Sequence, residues 1–375
     1  MAIQTPLRQF IILNQKIMKY LTLGKAIEAW NKIQPLSEND KQKLSRRFTV
    51  DFNYNSNHIE GNTLTYGQTE ILLLFGKVIG EANIKDVQDM AASNVALKMM
   101  NEESLIKNSS LTQNFIRTLH KIMLREDYTV YKNLPGGVTT SYVIHAGQYK
   151  TRPNSVITRY GDRFDYASPE ETPALMTDLV DWYNKEEQEG KLSPVELAAL
   201  FHYRYIRIHP FEDGNGRIAR LIMNYILSKH GYPMIVIRSR NKWEYLEALY
   251  QTDLLVGSEP NVGAQASLQS IKPFMQYFSG LVAREIYNDV CFLTERDELL
   301  WWYDGERIEF RTLNYAKILK ILMREPIVTL DYIQKELGIN MSAVKKLVNH
   351  LLKCNYIERG EKEGSWRVFI TPSIY

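Results

Sequence analysis

The chain has 375 residues, a length that favours two or three domains over one. Apolar residues at 45% and charged residues at 24% exclude a disordered chain, and 46 basic against 43 acidic residues, a net of +3, exclude one built mainly to bind polyanions. Two cysteines, Cys291 and Cys354, exclude a disulfide framework and a four-cysteine zinc site, and fit a reducing compartment.

At the N-terminus the apolar run Phe10–Leu13 is too short for a signal-peptide core. No window holds the roughly 18 uninterrupted apolar residues of a membrane span. A soluble cytoplasmic protein is expected. Ser56-Asn57-His58-Ile59-Glu60-Gly61 places Ser56 and Glu60 four apart on one helical face, with Gly61 as a helix stop. Taken alone, Glu60 reads as a solvated glutamate near a helix end.

Leu111–Arg125 brings Phe115, Leu119 and Ile122 onto one helical face, with Thr112 as cap. Tyr131–Ser168 is rich in glycine and proline, with β-branched stretches at Ser141–Ile144 and Ser155–Tyr160. It reads as a loop with a small β-hairpin. Glu171–Glu186 is again helical. Ser193-Pro194-Val195-Glu196 is a strong start signal: a capping serine, proline at the first helical position and a glutamate completing a capping box. That helix should run to about Arg207. The next begins near Arg217 and stops at Gly231-Tyr232-Pro233. Val256–Ser270 reads as a loop.

After Asp304-Gly305 the composition shifts. Leu313–Met323, Leu330–Leu337 and Met341–Cys354 read as helices, with a turn at Gly338-Ile339-Asn340, and Tyr356–Thr371 alternates like a hairpin. This order spells a winged helix-turn-helix domain. Its ten Lys/Arg and six Asp/Glu give a net of +4, and its third helix carries Lys345, Lys346 and Lys353. Such charge permits phosphate contact without demanding it, so DNA binding and protein docking both stay open. Tyr332, Tyr356, Trp366 and Phe369 read as core rather than base-stacking groups.

The chemistry concentrates in His209-Pro210-Phe211-Glu212-Asp213-Gly214-Asn215-Gly216-Arg217-Ile218-Ala219-Arg220. Pro210 ends one helix and leaves His209 at its exit, facing a cleft. Phe211 should anchor the loop in the core. Asp213 is a hard oxygen donor suited to Mg²⁺. Gly214-Asn215-Gly216 lets backbone amides approach an anion at a helix N-terminus. Arg217 and Arg220 share one side of the first turn, where two guanidinium groups could bind further phosphates. A base, a metal ligand, an anion nest and two arginines suit transfer of a phosphorus group.

HPFEDGNGR resembles the Fic motif, H-x-F-x-[DE]-G-N-[GK]-R, at every specified position. The resemblance runs over roughly Ser45–Gly280, including LTQNFIRTLHKIML. It implies a mainly α fold: a Fic-type helical bundle with a β-hairpin flap, here followed by the winged helix. It also implies an adenylyltransferase that moves AMP from ATP, with Mg²⁺, to a Ser, Thr or Tyr hydroxyl of a target protein and releases pyrophosphate.

By the same resemblance His209 is the base and Asp213 the Mg²⁺ ligand. Gly214, Asn215 and Gly216 form the anion hole. Arg217 and Arg220 hold the phosphate chain and γ-phosphate, and Tyr245 lies beside the adenine. The flap is expected at Gly147-Gln148-Tyr149-Lys150-Thr151, with Lys150 where the family often has arginine. Asp253 stands where relatives often have asparagine. [ST]-x-x-x-E-[GN] marks an inhibitory helix in this family, so Ser56 and Glu60 would carry autoinhibition, Glu60 pairing with Arg220 and excluding the γ-phosphate.

The expected domains are 1–110, an N-terminal helical region with the inhibitory helix at about 45–62; 111–290, the catalytic core; 291–312, a linker helix; and 313–375, the winged helix-turn-helix. A homodimer is expected by family analogy only. Alternative readings are AMP removal or another phosphate-group transfer on the same scaffold, and a nucleotide-sensing DNA-binding regulator.

Overall fold

The computed structural model describes residues 22–133, 139–295, 299–325, 327–360 and 363–368. Phe10–Leu13, Phe369 and the end of the expected C-terminal hairpin lie outside them. The described residues are mainly helical, with four small two-stranded antiparallel sheets. None of their helices is long and apolar enough to cross a membrane.

The chain divides into two compact units. One takes the chain up to Ser37 together with Ala92–Val290, and the other takes Glu38–Ala91 together with the chain from Cys291 onward.

In the first unit, Pro194–Ile208 and Asn215–Lys229 form the central pair. The expected capping box opens the first of them: Ser193 Oγ accepts from the Glu196 N–H, and Glu196 Oε2 accepts from the Ser193 N–H. The central position of the second explains its burial on nearly every face, from Ile218 through Leu227. Gln113–Leu124 packs against it, capped by Thr112 Oγ1 accepting from the Phe115 N–H at 3.1 Å. Buried Asn224 ties the pair to the segment beyond Pro233, accepting from the Ile235 N–H and donating to the Ile235 carbonyl.

Two stretches of this unit depart from expectation. Tyr131–Ser168 holds two hairpins rather than one: Tyr128–Asn133 with Thr139–Ile144, and Ser155–Ile157 with Arg163–Asp165. The glycine and proline content that marks a loop also marks the turns between short strands. Val256–Ser270 contains the short helix Pro260–Ala264, entered on proline.

In the second unit, the expected linker helix at 291–312 is corrected. Helix Lys272–Thr294 ends at Thr294, and the chain then forms a hairpin of Leu300–Tyr303 with Glu306–Glu309. Its turn is Asp304-Gly305, both at positive φ (46° and 75°), a dipeptide suited to a two-residue hairpin loop.

Helix Glu38–Ile59, which carries Ser56, packs within this unit. Val50, Tyr66, Tyr303 and Met323 form one buried cluster. Asn55 Nδ2 donates to Asp304 Oδ1 at 2.6 Å, and the Tyr66 hydroxyl donates to Asp51 Oδ1 at 2.5 Å. The 1–110 region is therefore divided between the two units rather than forming one body.

Helices Leu313–Arg324, Leu330–Leu337 and Met341–Lys353 follow, then strands Ile357–Arg359 and Trp366–Val368, all around a core that includes Leu319, Ile333, Val344, Val348, Ile357 and Trp366. Gly338 at φ 64° closes the second helix, and Asn340 Oδ1 accepts from the Ala343 N–H to open the third.

Candidate active site

The motif forms the turn between the two central helices. His209 closes Pro194–Ile208 in the left-handed region, φ 51°, its N–H donating to the Tyr205 carbonyl at 2.9 Å. Pro210 cannot continue the helix, so the chain turns out here. The imidazole is half-buried and stacks on Tyr166, ring centroids 3.9 Å apart and planes 5° from parallel. Phe211 is fully buried, as expected of an anchor.

Asn215 cross-braces the turn: its Oδ1 accepts from the Phe211 N–H at 2.9 Å and its Nδ2 donates to the Phe211 carbonyl at 2.7 Å. Asn154 Nδ2 donates to the same carbonyl at 3.0 Å.

Gly214 heads the second helix at φ 78°, and no side chain caps that end. A Cβ there would sit a tight 3.1 Å from Leu124 Cδ1, and the positive φ itself favours glycine. The first-turn amides of a 15-residue helix, led in by glycine and uncapped, suit an anionic ligand.

The Asp213 carboxylate stands beside this turn with 46% of its side chain exposed. Its Oδ2 accepts from the Tyr128 hydroxyl at 2.8 Å and from Arg217 Nη2 at 3.3 Å. Burial pushes its pKa up, but Arg217, the Tyr128 hydroxyl and the Gly214 N–H outweigh that and hold it below the usual carboxylate value. An ionised, oriented and partly open carboxylate fits a hard divalent cation. No cluster of three or more His, Cys, Asp or Glu suited to a metal exists among the described residues. Mg²⁺ here would take its remaining ligands from phosphate and water, as Mg²⁺ at nucleotide sites does.

Arg217 lies on the first turn against Asp213, and Arg220 one turn further is almost wholly buried. Tyr245 is 3% exposed, its hydroxyl donating to His202 Nε2 at 2.9 Å. Burial lowers the His202 pKa to about 3, so the ring is neutral. Asp253 binds buried Arg207 and the Tyr203 hydroxyl, both at 2.8 Å, which gives its carboxylate a structural partner.

The expected flap residues lie against the motif turn. The Lys150 N–H donates to the Pro210 carbonyl at 2.8 Å. Its side chain is buried, with Nζ donating to Asn154 Oδ1 at 2.8 Å and the Ile208 carbonyl at 3.1 Å. Lys150 thus pins the segment to a helix C-terminus rather than reaching outward, and burial lowers its pKa to about 7. The Tyr149 hydroxyl donates to Gln113 Oε1, Gln148 is exposed, and Thr151 donates to Glu212 Oε1 from both N–H and hydroxyl. Gly147 is buried at φ 76°, its carbonyl accepting from Arg117 Nε.

Ser56 is buried and Glu60 exposed, in the second unit, with Gly61 at φ 97° ending the helix as expected.

Four residues of this surround carried no sequence signal of their own: His120, Tyr128, Asn154 and Tyr166. His120 lies in a stretch that attracts attention for its helical periodicity and its family resemblance, neither of which singles out the histidine. Tyr128 sits just before the glycine- and proline-rich region and Asn154 and Tyr166 lie within it, at irregular spacing that a periodic pattern cannot single out.

Residues 110–227 match the family model of the Fic/DOC family. The crystal structure of a Fic domain containing signaling protein from Bacteroides thetaiotaomicron is 49% identical, with a TM-score of 0.67, covering 73% of this chain and 99% of that one. The structure of Fic-1 from Caenorhabditis elegans is 25% identical, with a TM-score of 0.55, covering 76% of this chain and 75% of that one. Protein adenylyltransferase Fic of Nematostella vectensis is 30% identical over 62% of this chain and 47% of its own length. The chain spans less than half the length of the curated relatives it matches.

Proposed function

Because this chain belongs to the Fic family, we propose that it is a protein adenylyltransferase, moving AMP from ATP to a Ser, Thr or Tyr hydroxyl of a target protein. The observation that carries the reading is the convergence, on one turn, of the half-buried His209 imidazole, the ionised Asp213 carboxylate and the uncapped helix N-terminus at Gly214.

His209 would accept the proton of the target hydroxyl as its oxygen attacks the α-phosphorus. The bond to the β-phosphate oxygen then breaks and pyrophosphate leaves. The amides of Asn215 and Gly216 would stabilise charge growing on the α-phosphate. Mg²⁺, held by Asp213, would neutralise the phosphate chain. Arg217 and Arg220 would complete that neutralisation, and Tyr245 would line the adenine side. Glycine at 216, rather than the lysine of phosphorylating relatives, favours attack on the nucleotide α-phosphate.

Glu60 and the γ-phosphate are anions that would compete for Arg220, making the transferase autoinhibited. A charge-assisted bond of about 1.5–3 kcal/mol is enough to shift a bound pose by roughly ten- to a hundred-fold. We read the C-terminal helices and hairpin as a winged helix that docks DNA or protein, and the chain as cytoplasmic and homodimeric.

The test is incubation with α-labelled ATP and Mg²⁺ in a host lysate, followed by mass spectrometry of labelled bands. An AMP adduct supports the proposal. A phosphate adduct, or release of AMP from a modified protein without transfer, replaces it with the other phosphate-group chemistries. Salt-sensitive DNA retention in a gel-shift assay, without any adduct, replaces it with a nucleotide-sensing regulator.

A further inference from the structure

His120 lies outside the motif, yet its ring touches both halves of the site. Its Nε2–H donates to the Asp213 carbonyl at 3.0 Å, and its Nδ1 accepts from the Gly147 N–H at 2.8 Å. The first bond requires hydrogen on Nε2 and the second a lone pair on Nδ1, so one tautomer satisfies both. The ring also stacks on Phe211 at 3.7 Å between centroids, with planes 4° apart, and lies 3.4 Å from where a Cβ on residue 214 would be. It is fully buried.

A core histidine needs only its polar atoms satisfied. Here the two partners are the flap's glycine and the carbonyl of the metal-binding residue, on segments separated by 66 positions of chain.

We propose that His120 is a positioning residue for the transfer reaction, fixing the flap at Gly147 and the turn at Asp213 in one register. The proposal rests on the adenylyltransferase reading for its consequence and on the hydrogen bonds for its geometry. Groups that hold metal-binding residues in place typically control ten- to a hundred-fold of activity. A flap or carboxylate displaced by about 1 Å forfeits a comparable factor.

Three variants separate the two bonds. His120→Gln keeps a donor at the Nε2 position and loses the acceptor for Gly147. His120→Asn keeps an acceptor near Nδ1 and loses the donor to Asp213. His120→Phe keeps the stack and loses both. Amide exchange of the full chain, read by mass spectrometry, should accelerate in peptide 145–151 for the Gln variant, in peptide 210–216 for the Asn variant and in both for the Phe variant.

With MgATP and the labelled target band as substrate, the Gln variant should lower kcat with KM for MgATP unchanged. The Asn variant should raise that KM, and the Phe variant should lose about ten- to a hundred-fold of transfer. Wild-type exchange at both peptides in every variant overturns the proposal, as does equal loosening of both peptides by Asn and Gln, which is the mark of a merely structural residue. If the Phe variant fails to fold, ¹⁵N spectra of the wild-type chain decide, since a proton on Nδ1 instead of Nε2 contradicts the bridge. Absence of AMP transfer by the wild-type chain would defeat the functional reading, while the exchange pattern still judges the bridge.

Discussion

The Tyr166 phenol lies face to face with the His209 imidazole, centroids 3.9 Å apart. The stack comes from the strand-rich segment, while His209 ends a helix, so it fixes the ring plane of the proposed base from outside the motif. Aromatic pairs contribute about 0.5–1.5 kcal/mol beyond burial. Tyr166→Ala should therefore lower AMP transfer by roughly two- to ten-fold, and Tyr166→Phe should restore it. Rates of label incorporation from α-labelled ATP check this. A Phe variant as impaired as Ala would assign the effect to the hydroxyl instead.

His209→Ala should lose at least about a hundred-fold of transfer, the usual contribution of a general base. ATP affinity, measured by calorimetry, should change little, because the proposed nucleotide contacts come from the uncapped turn, Arg217 and Arg220. Transfer at the wild-type rate would remove His209 from the mechanism.

Glu60→Gly should raise transfer by roughly ten- to a hundred-fold, matching the energy of one charge-assisted bond. Glu60 follows a helix end, with Gly61 already at φ 97°, so glycine at 60 leaves the ordered part of helix Glu38–Ile59 intact. Equal self-labelling of both forms would exclude a restraining role for this glutamate.

The helical frame was legible because its signals are local. The Ser193 capping box, the Thr112 cap and the Gly338 stop each act within four residues and appear where the spacing puts them. The motif was legible for the same reason: Asp213, Gly214, Asn215 and Arg217 act within one turn. What escaped was long-range. His120 meets Asp213 across 93 positions and Tyr128 meets it across 85, and nothing in a histidine on an amphipathic helix announces such a partner. The hairpin at 300–309 escaped for another reason. Leu-Trp-Trp-Tyr and Glu-Arg-Ile-Glu flank an Asp-Gly turn signal, which marks a shift in composition as well as a two-residue loop.

Lys150 provides a pH test of the flap's attachment. Its ordinary value of 10.5 falls to about 7 on folding, with burial as the chief cause. Between those values the unfolded chain holds a proton that the folded chain lacks. Unfolding then takes up protons, and this residue makes stability rise with pH across the window. Below about pH 7 both states are protonated and the full cost is present. Buried tyrosines act in the opposite sense only near and above their ordinary value of about 10, where the folded chain keeps protons that the unfolded chain releases. Urea midpoints at pH 7.5 and 9.5 should therefore increase for the wild-type chain through this residue. Lys150→Met should reduce that increase by up to about 1.4 kcal/mol per pH unit, the limit for one proton. The same variant leaves the Ile208 carbonyl and Asn154 Oδ1 without the Lys150 Nζ donor, so faster amide exchange in peptide 145–151 should accompany the flatter profile. An unchanged pH slope would show that the ammonium reaches water and does not pin the flap to the helix that ends at His209.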